Sequence, residues 1–98
     1  MKIKVGPLKY KVVYVKNLRS GNDAELFGKV RHGPCEICVK SGHASQQQRQ
    51  TIWHEIMHIV FEQTGHCEES GDESFITSVA HALMQVVQDN PWLAEKTK

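Results

Sequence analysis

The stretch from Ala44 to Thr64 contains neither glycine nor proline, and Gly65 closes it. Gly and Pro are the residues that interrupt helices most strongly, so an unbroken run of this length favours one long helix. Ser45-Gln46-Gln47-Gln48 has the S-x-x-Q pattern of a capping box, which satisfies the first free N–H groups of a helix. Ile52, Ile56, Ile59, Val60 and Gln63 recur at the 3.6-residue period and form one stripe for the core. Trp53, Met57 and Phe61 form a second stripe beside it. The spacing predicts a helix over 45–64, with Gly65 as its left-handed C′ residue.

A third strip of that helix carries His54 and His58, and with Glu55 they read H-E-x-x-H. Residues four apart on a helix have Cβ atoms about 5–6 Å from one another, so two imidazoles can converge on one ion. Neutral imidazole suits Zn²⁺, and a glutamate between the two can act as general base toward a water on the metal. Two histidines are not a complete catalytic set, which takes three protein ligands and an open position. The extended pattern H-E-x-x-H-x-x-G-x-x-H is excluded, because Phe61 and Thr64 stand where its Gly and third His belong. The remaining candidates are Glu68, Glu69, Asp72, Glu73 and His66. Glu73 is the best placed, since it opens the next helix and can project back across the first. Glu69 ranks next, as a loop carboxylate able to swing in.

Upstream of the helix, Met1–Lys16 alternates apolar residues with Lys2, Lys4, Lys9 and Lys11, the period of a strand. The strand is expected over 8–16 after a Gly6-Pro7 turn, with Val13 and Val15 hinting at cover on both faces. Two more strands are expected at about 26–32 and 35–40, joined by the turn His32-Gly33-Pro34. Downstream, Ser70-Gly71-Asp72-Glu73 reads as a second capping box. Phe75, Ile76, Val79, Ala80, Leu83, Val86 and Val87 make the wide apolar face of a second helix, which Asn90-Pro91 stops. Three strands followed by two helices imply an α+β domain, helices packed on a small antiparallel sheet.

At 98 residues and 40% apolar content, the chain has material for one small domain over 1–98. It contains no apolar run of membrane-spanning length and no signal-peptide stretch, so it reads as soluble and cytoplasmic, without a membrane partner. Three cysteines and no export signal point to reduced thiols. The net charge of +1 hides a division: residues 1–49 hold ten Lys and Arg against three acids, and residues 50–95 hold eight acids and no Lys or Arg. A basic sheet and acidic helices that attract one another account for this most simply.

These pieces resemble small phage-encoded zincin-like metallopeptidases related to the ImmA/IrrE and SprT-like groups. The resemblance rests on a short sheet (Leu8–Lys16, Gly28–Lys40) leading into Thr51-Ile52-Trp53-His54-Glu55-Ile56-Met57-His58, then Glu73-Ser74-Phe75-Ile76 and Asp89-Asn90-Pro91. It implies a minimal zincin-like domain with His54 and His58 as zinc ligands, Glu55 as base and a downstream glutamate as third ligand. The ImmA/IrrE pattern sets that glutamate just before a small residue, as in Glu73-Ser74. A SprT-type third histidine lies in a His-Gly-x-x-Phe-like context, which His66-Cys67-Glu68 lacks. The expected activity is zinc-dependent hydrolysis of peptide bonds in a peptide or protein bound along a sheet edge. With no second lobe to wall the cleft, the substrate is expected to be a flexible segment, or a partner protein completes the site.

Rival readings are a zinc-stabilised interaction domain that does not cleave, and a nucleic-acid-associated zinc protein. The retained Glu55 argues against the first, and two arginines in residues 1–48 against the second. Cys35 and Cys38 form C-x-x-C, but residues three apart on a strand face opposite ways and cannot share an ion. His81 is expected to be a partly buried structural residue, Tyr10 and Tyr14 have no evident link to the metal, and Trp53 and Trp92 are expected to pack in the core and at a helix end.

Overall fold

A computed structural model describes residues 1–94; residues 95–98, the end of the domain expected over 1–98, lie outside the described residues. In chain order it has β1 (Lys2–Val5), β2 (Leu8–Val15), β3 (Gly28–Arg31), β4 (Glu36–Lys40), α1 (Ser45–Gln63), a one-turn α2 (Cys67–Ser70), α3 (Glu73–Asp89) and a 3₁₀ turn, Pro91–Ala94. No helix among the described residues is long and apolar enough to cross a membrane.

The α+β class is as expected, but the sheet is four-stranded and mixed instead of three-stranded and antiparallel. Its order is β1-β2-β4-β3, with β2 parallel to β4 and both other pairs antiparallel. Residues 2–5 are not a lead-in to one long strand. They fold back on β2 through the turn at Gly6, so that Ile3 pairs with Tyr10 and Val5 with Leu8. Strand β4 then slots between β2 and β3. Parallel neighbours need a crossover of a dozen or more residues, and residues 16–35, β3 included, supply it. Alternation along a strand cannot specify which strand becomes its neighbour. One signal was present: Ile37, Cys38 and Val39 are all buried, and consecutive apolar residues mark a central strand.

Helix α1 is the centre of the molecule. On one side Ile59, fully buried, packs with Val5, Tyr10, Val12, Ile37 and Val39 of the sheet, joined by Ile52, Ile56 and Val60. Full burial of an aliphatic side chain contributes about 1.5–3 kcal/mol. On the other side Met57, with Trp53 and Phe61, meets Ile76 and Ala80 of α3. The two apolar stripes thus serve two different neighbours. Among the described residues α3 packs on α1 and α2 and not on the sheet, which corrects the expectation that both helices lie on it.

Helix boundaries match the expected ones to within a few residues, but neither capping box forms. Ala44 caps α1 without a side-chain bond, and Gln48 Nε2 donates to the Lys40 carbonyl instead. At α3 the cap is Asp72, whose Oδ1 accepts from the Phe75 N–H at 3.1 Å. Gly65 takes φ +83°, a backbone value that side chains disfavour, and lets the chain leave α1. Cys35 ends the turn before β4 and packs with the core side of the sheet; Cys38 is buried toward the other face, opposite Val13 and Lys29. All three cysteines are free. His81 is exposed, not partly buried, and Trp92 is 64% exposed instead of packed.

Candidate metal centre

His54 and His58 lie one turn apart on α1, on the strip that neither the sheet nor the apolar side of α3 covers. Their rings stand edge to face with centroids 4.9 Å apart, and the two Nε2 atoms are 3.2 Å from each other. Glu73, in the first turn of α3, reaches back across α1. Its Oε2 lies 2.9 Å from His54 Nε2 and its Oε1 2.9 Å from His58 Nε2. Among the described residues, His54, His58 and Glu73 are the group whose ligand atoms converge, all within 4.8 Å.

This donor set fits zinc. Ligands at about 2.0–2.1 Å in tetrahedral arrangement sit roughly 3.3 Å apart, and the observed separations are close to that. Two imidazole nitrogens and one carboxylate are also a borderline-soft mixture that zinc accepts. The other candidates are occupied elsewhere or set apart. Asp72 caps α3, while Glu69 faces His66 at 3.9 Å, and neither these two nor Glu68 joins the converging group.

The far nitrogens of both imidazoles are also engaged. Thr77, one turn after Glu73 on α3, sets its hydroxyl 3.4 Å from His54 Nδ1. Ser70 Oγ lies 3.0 Å from His58 Nδ1 and donates to Glu62 Oε2 at 2.7 Å. Since the single hydroxyl proton of Ser70 goes to Glu62, the oxygen accepts from His58 Nδ1–H, which leaves Nε2 with its lone pair facing Glu73. Glu62 in turn meets His32 Nε2 at 2.9 Å. Ser70 is 4% exposed, so this chain is shielded from water where it touches His58. The same residue had been expected to cap α3. Its burial depends on the α2 turn, for which the sequence offered no signal, whereas Thr77 could have been found from its i+4 spacing to Glu73.

Glu55, next to His54 on α1, lies against the sheet edge and is 7% exposed. Burial, followed by the negative charges of Glu73 and Glu62, pushes its carboxyl up to about 8. Its neighbour there is Gly28 of β3: a Cβ at that position would lie 3.0 Å from Glu55 Oε2 and 2.4 Å from Thr51 Cγ2. Absence of a side chain at Gly28 is what lets the edge strand lie against α1.

His54, Glu55, His58 and Glu73 all open onto a cavity of about 390 Å³, walled by Leu26, Phe27 and Gly28 on one side and Gln50, Thr51 and Thr77 on the other. Among the described residues strand β3 pairs with β4 only, so its outer edge presents free backbone groups beside this cavity. Neither Tyr10 nor Tyr14 lines it.

Residues 9–89 match the family model of Peptidase M78, the IrrE N-terminal-like domain. No curated protein and no solved structure gives a match.

Proposed function

This chain belongs to the Peptidase M78 family of IrrE N-terminal-like domains, and from that premise we propose that it is a zinc-dependent metallopeptidase acting at the His54–Glu55–His58–Glu73 site. The observation that carries the proposal is the convergence of His54 Nε2, His58 Nε2 and the Glu73 carboxylate beside a buried Glu55, in a cavity bordering a free strand edge.

In this reading His54, His58 and Glu73 hold the ion, which when bound supplies an acidified water and polarises the scissile carbonyl. Ser70 and Thr77 hold the imidazoles in the tautomer whose Nε2 is free to coordinate. Glu55 takes the proton of the attacking water at its carboxylate and hands it to the leaving amine. Its high intrinsic proton affinity suits the first half of that task, the uptake of a proton, and cationic charge at the centre offsets Glu73 and brings the carboxyl back toward the ionised form that can accept one. The substrate is an extended segment of peptide or protein that adds to the outer edge of β3, placing its backbone over Gly28 and its side chains against Leu26 and Phe27. The cavity is open, which favours unstructured segments.

Glu73→Ala tests the ligand set. Wild type is expected to bind one zinc per chain, and the variant to bind it more than about 100-fold more weakly, beyond the 10–100-fold that outer contacts are worth. Zinc titration against a chromogenic chelator measures this. Unchanged affinity in Glu73→Ala, with Glu69→Ala or His66→Ala abolishing binding, would overturn the assignment.

Ser70→Ala is expected to keep the fold and lower zinc affinity roughly 10–100-fold, because His58 loses the acceptor that sets its tautomer. It also leaves a shielded Nδ1–H unpaired, at a cost of about 1–3 kcal/mol. Chelator competition and urea unfolding report the two effects separately. Equal zinc affinity in wild type and variant would show that Ser70 does not orient His58.

A further inference from the structure

The charge division along the chain becomes a single surface in the folded molecule. Strand register places Lys2 opposite Lys11 and Lys4 opposite Lys9, on the sheet face turned away from α1. The same face receives Lys29 and Arg31 from β3 and Lys40 from β4, with Glu36 as its one acid. Arg31 pairs with Glu36, and Lys40 with Glu25. Lys2, Lys4, Lys9, Lys11 and Lys29 are exposed and take part in no ion pair among the described residues. Among the described residues no helix covers this face: α1 packs on the other one, and α3 does not reach the sheet.

We propose that this sheet face is a docking surface for duplex nucleic acid, held through its phosphate backbone without regard to sequence. Four strands about 4.8 Å apart make the cationic field roughly 15 Å wide, enough to reach the phosphates on both sides of a groove about 12 Å across. A duplex carries one negative charge per ~1.7 Å of axis. An extended acidic peptide offers at most one carboxylate per ~6.6 Å to one side, since its side chains alternate, and so neutralises far less of the field. A second copy of this chain is a poorer occupant: Glu55 is buried, Glu62 and Glu73 face histidines, and the exposed acids Glu68, Glu69 and Asp72 are gathered at the single turn of α2 and the start of α3, a patch narrower than the lysine field. Membrane docking is disfavoured because the apolar side chains here, Val13, Val15 and Cys38, are not exposed, so nothing inserts. Single strands are disfavoured because the face has no aromatic residue to stack on bases. The scarcity of arginine argues against reading of base edges and leaves phosphate contacts untouched, for which lysine is sufficient.

The test is fluorescence anisotropy of a labelled random 20-base-pair duplex titrated with the 98-residue chain, from 50 to 200 mM salt. Binding is expected at 50 mM salt, with log K falling against log salt at a slope of roughly −3 to −5. Lys4→Glu/Lys11→Glu/Lys29→Glu should weaken binding at least tenfold. Lys4→Gln/Lys11→Gln/Lys29→Gln should weaken it by less, and circular dichroism and zinc stoichiometry should stay as in wild type for both. These readouts do not depend on peptidase activity, so the surface and the proposed site fail or stand separately. Absence of binding at 50 mM salt, indifference to both triple variants, or equally tight binding of polyglutamate or of vesicles rich in anionic lipid would overturn the proposal.

Discussion

Glu55→Gln is expected to bind zinc as wild type does and to lose peptidase activity by about 10²–10⁴-fold, the range typical of general acid–base catalysis. The amide keeps the shape of the side chain in its buried place beside Gly28 but can neither accept nor return a proton. Unstructured peptides and denatured protein are the substrates to use, because the cavity is open. A wild type that cleaves none of them while folded and loaded with zinc, or a variant as active as wild type, would defeat the enzyme reading.

The same substitution has a second expected effect, on the metal-free protein. The Glu55 carboxyl is raised from its ordinary 4.5 to about 8 in the folded chain. Between those values the folded state binds more protons at this group than the unfolded state, so the contribution of Glu55 to stability is full below pH 4.5 and is lost as pH rises toward 8. The full loss is on the order of a few kcal/mol, at ~1.4 kcal/mol per unit. Urea unfolding of zinc-free wild type at pH 5 and pH 8 should show this decline, and Glu55→Gln should remove most of it. Parallel declines in the two proteins would assign the pH dependence elsewhere.

Gly28→Ala is the other change with a large expected effect. Its Cβ would stand 2.4 Å from Thr51 Cγ2, and Thr51 cannot rotate away cheaply because its Oγ1 donates to the Gln47 carbonyl and the residue is buried. Either β3 or α1 must shift. Overpacking of this kind costs about 1–3 kcal/mol, and a displacement near 1 Å at a reacting group can cost ~10²-fold in rate. Both stability and turnover of unstructured peptides are therefore expected to fall. Thr51→Ser, which removes Cγ2 and keeps the hydroxyl, should restore much of each in the double variant. A Gly28→Ala protein indistinguishable from wild type would show that the close approach has no role.

The helices were legible because their information is local. Ile52, Ile56 and Ile59 recur every turn wherever the helix sits, and the i, i+4 spacing of His54 and His58 puts both rings on one strip regardless of the fold. Glu73 could be favoured for the same reason, as the carboxylate that opens the next helix. The sheet was legible as strands and not as a sheet, since alternation in Leu8–Val15 is silent on whether β4 or β3 lies beside it. Ser45 and Ser70 show the converse error: a capping pattern is present in the letters, but Gln48 finds Lys40 and Ser70 finds His58, partners distant in sequence. Gly28 read as an ordinary strand residue, and only the approach of Thr51 and Glu55 explains it.

The two outer strands of the sheet, β1 and β3, are only four residues long, and each carries two cations two positions apart: Lys2 and Lys4, Lys29 and Arg31. Unpaired strand edges invite self-association, and short, charged edges are one way proteins discourage it. Were two copies to meet at β3, Lys29 and Arg31 of each would come beside those of the other at cross-strand spacings near 5 Å, where like charges repel. A passing peptide without cations at those positions meets no such opposition. If substrate adds to this strand as proposed, the edge would be open to visitors and closed to its own kind, and resistance to aggregation and a bias against lysine- and arginine-rich segments would come from the same two side chains.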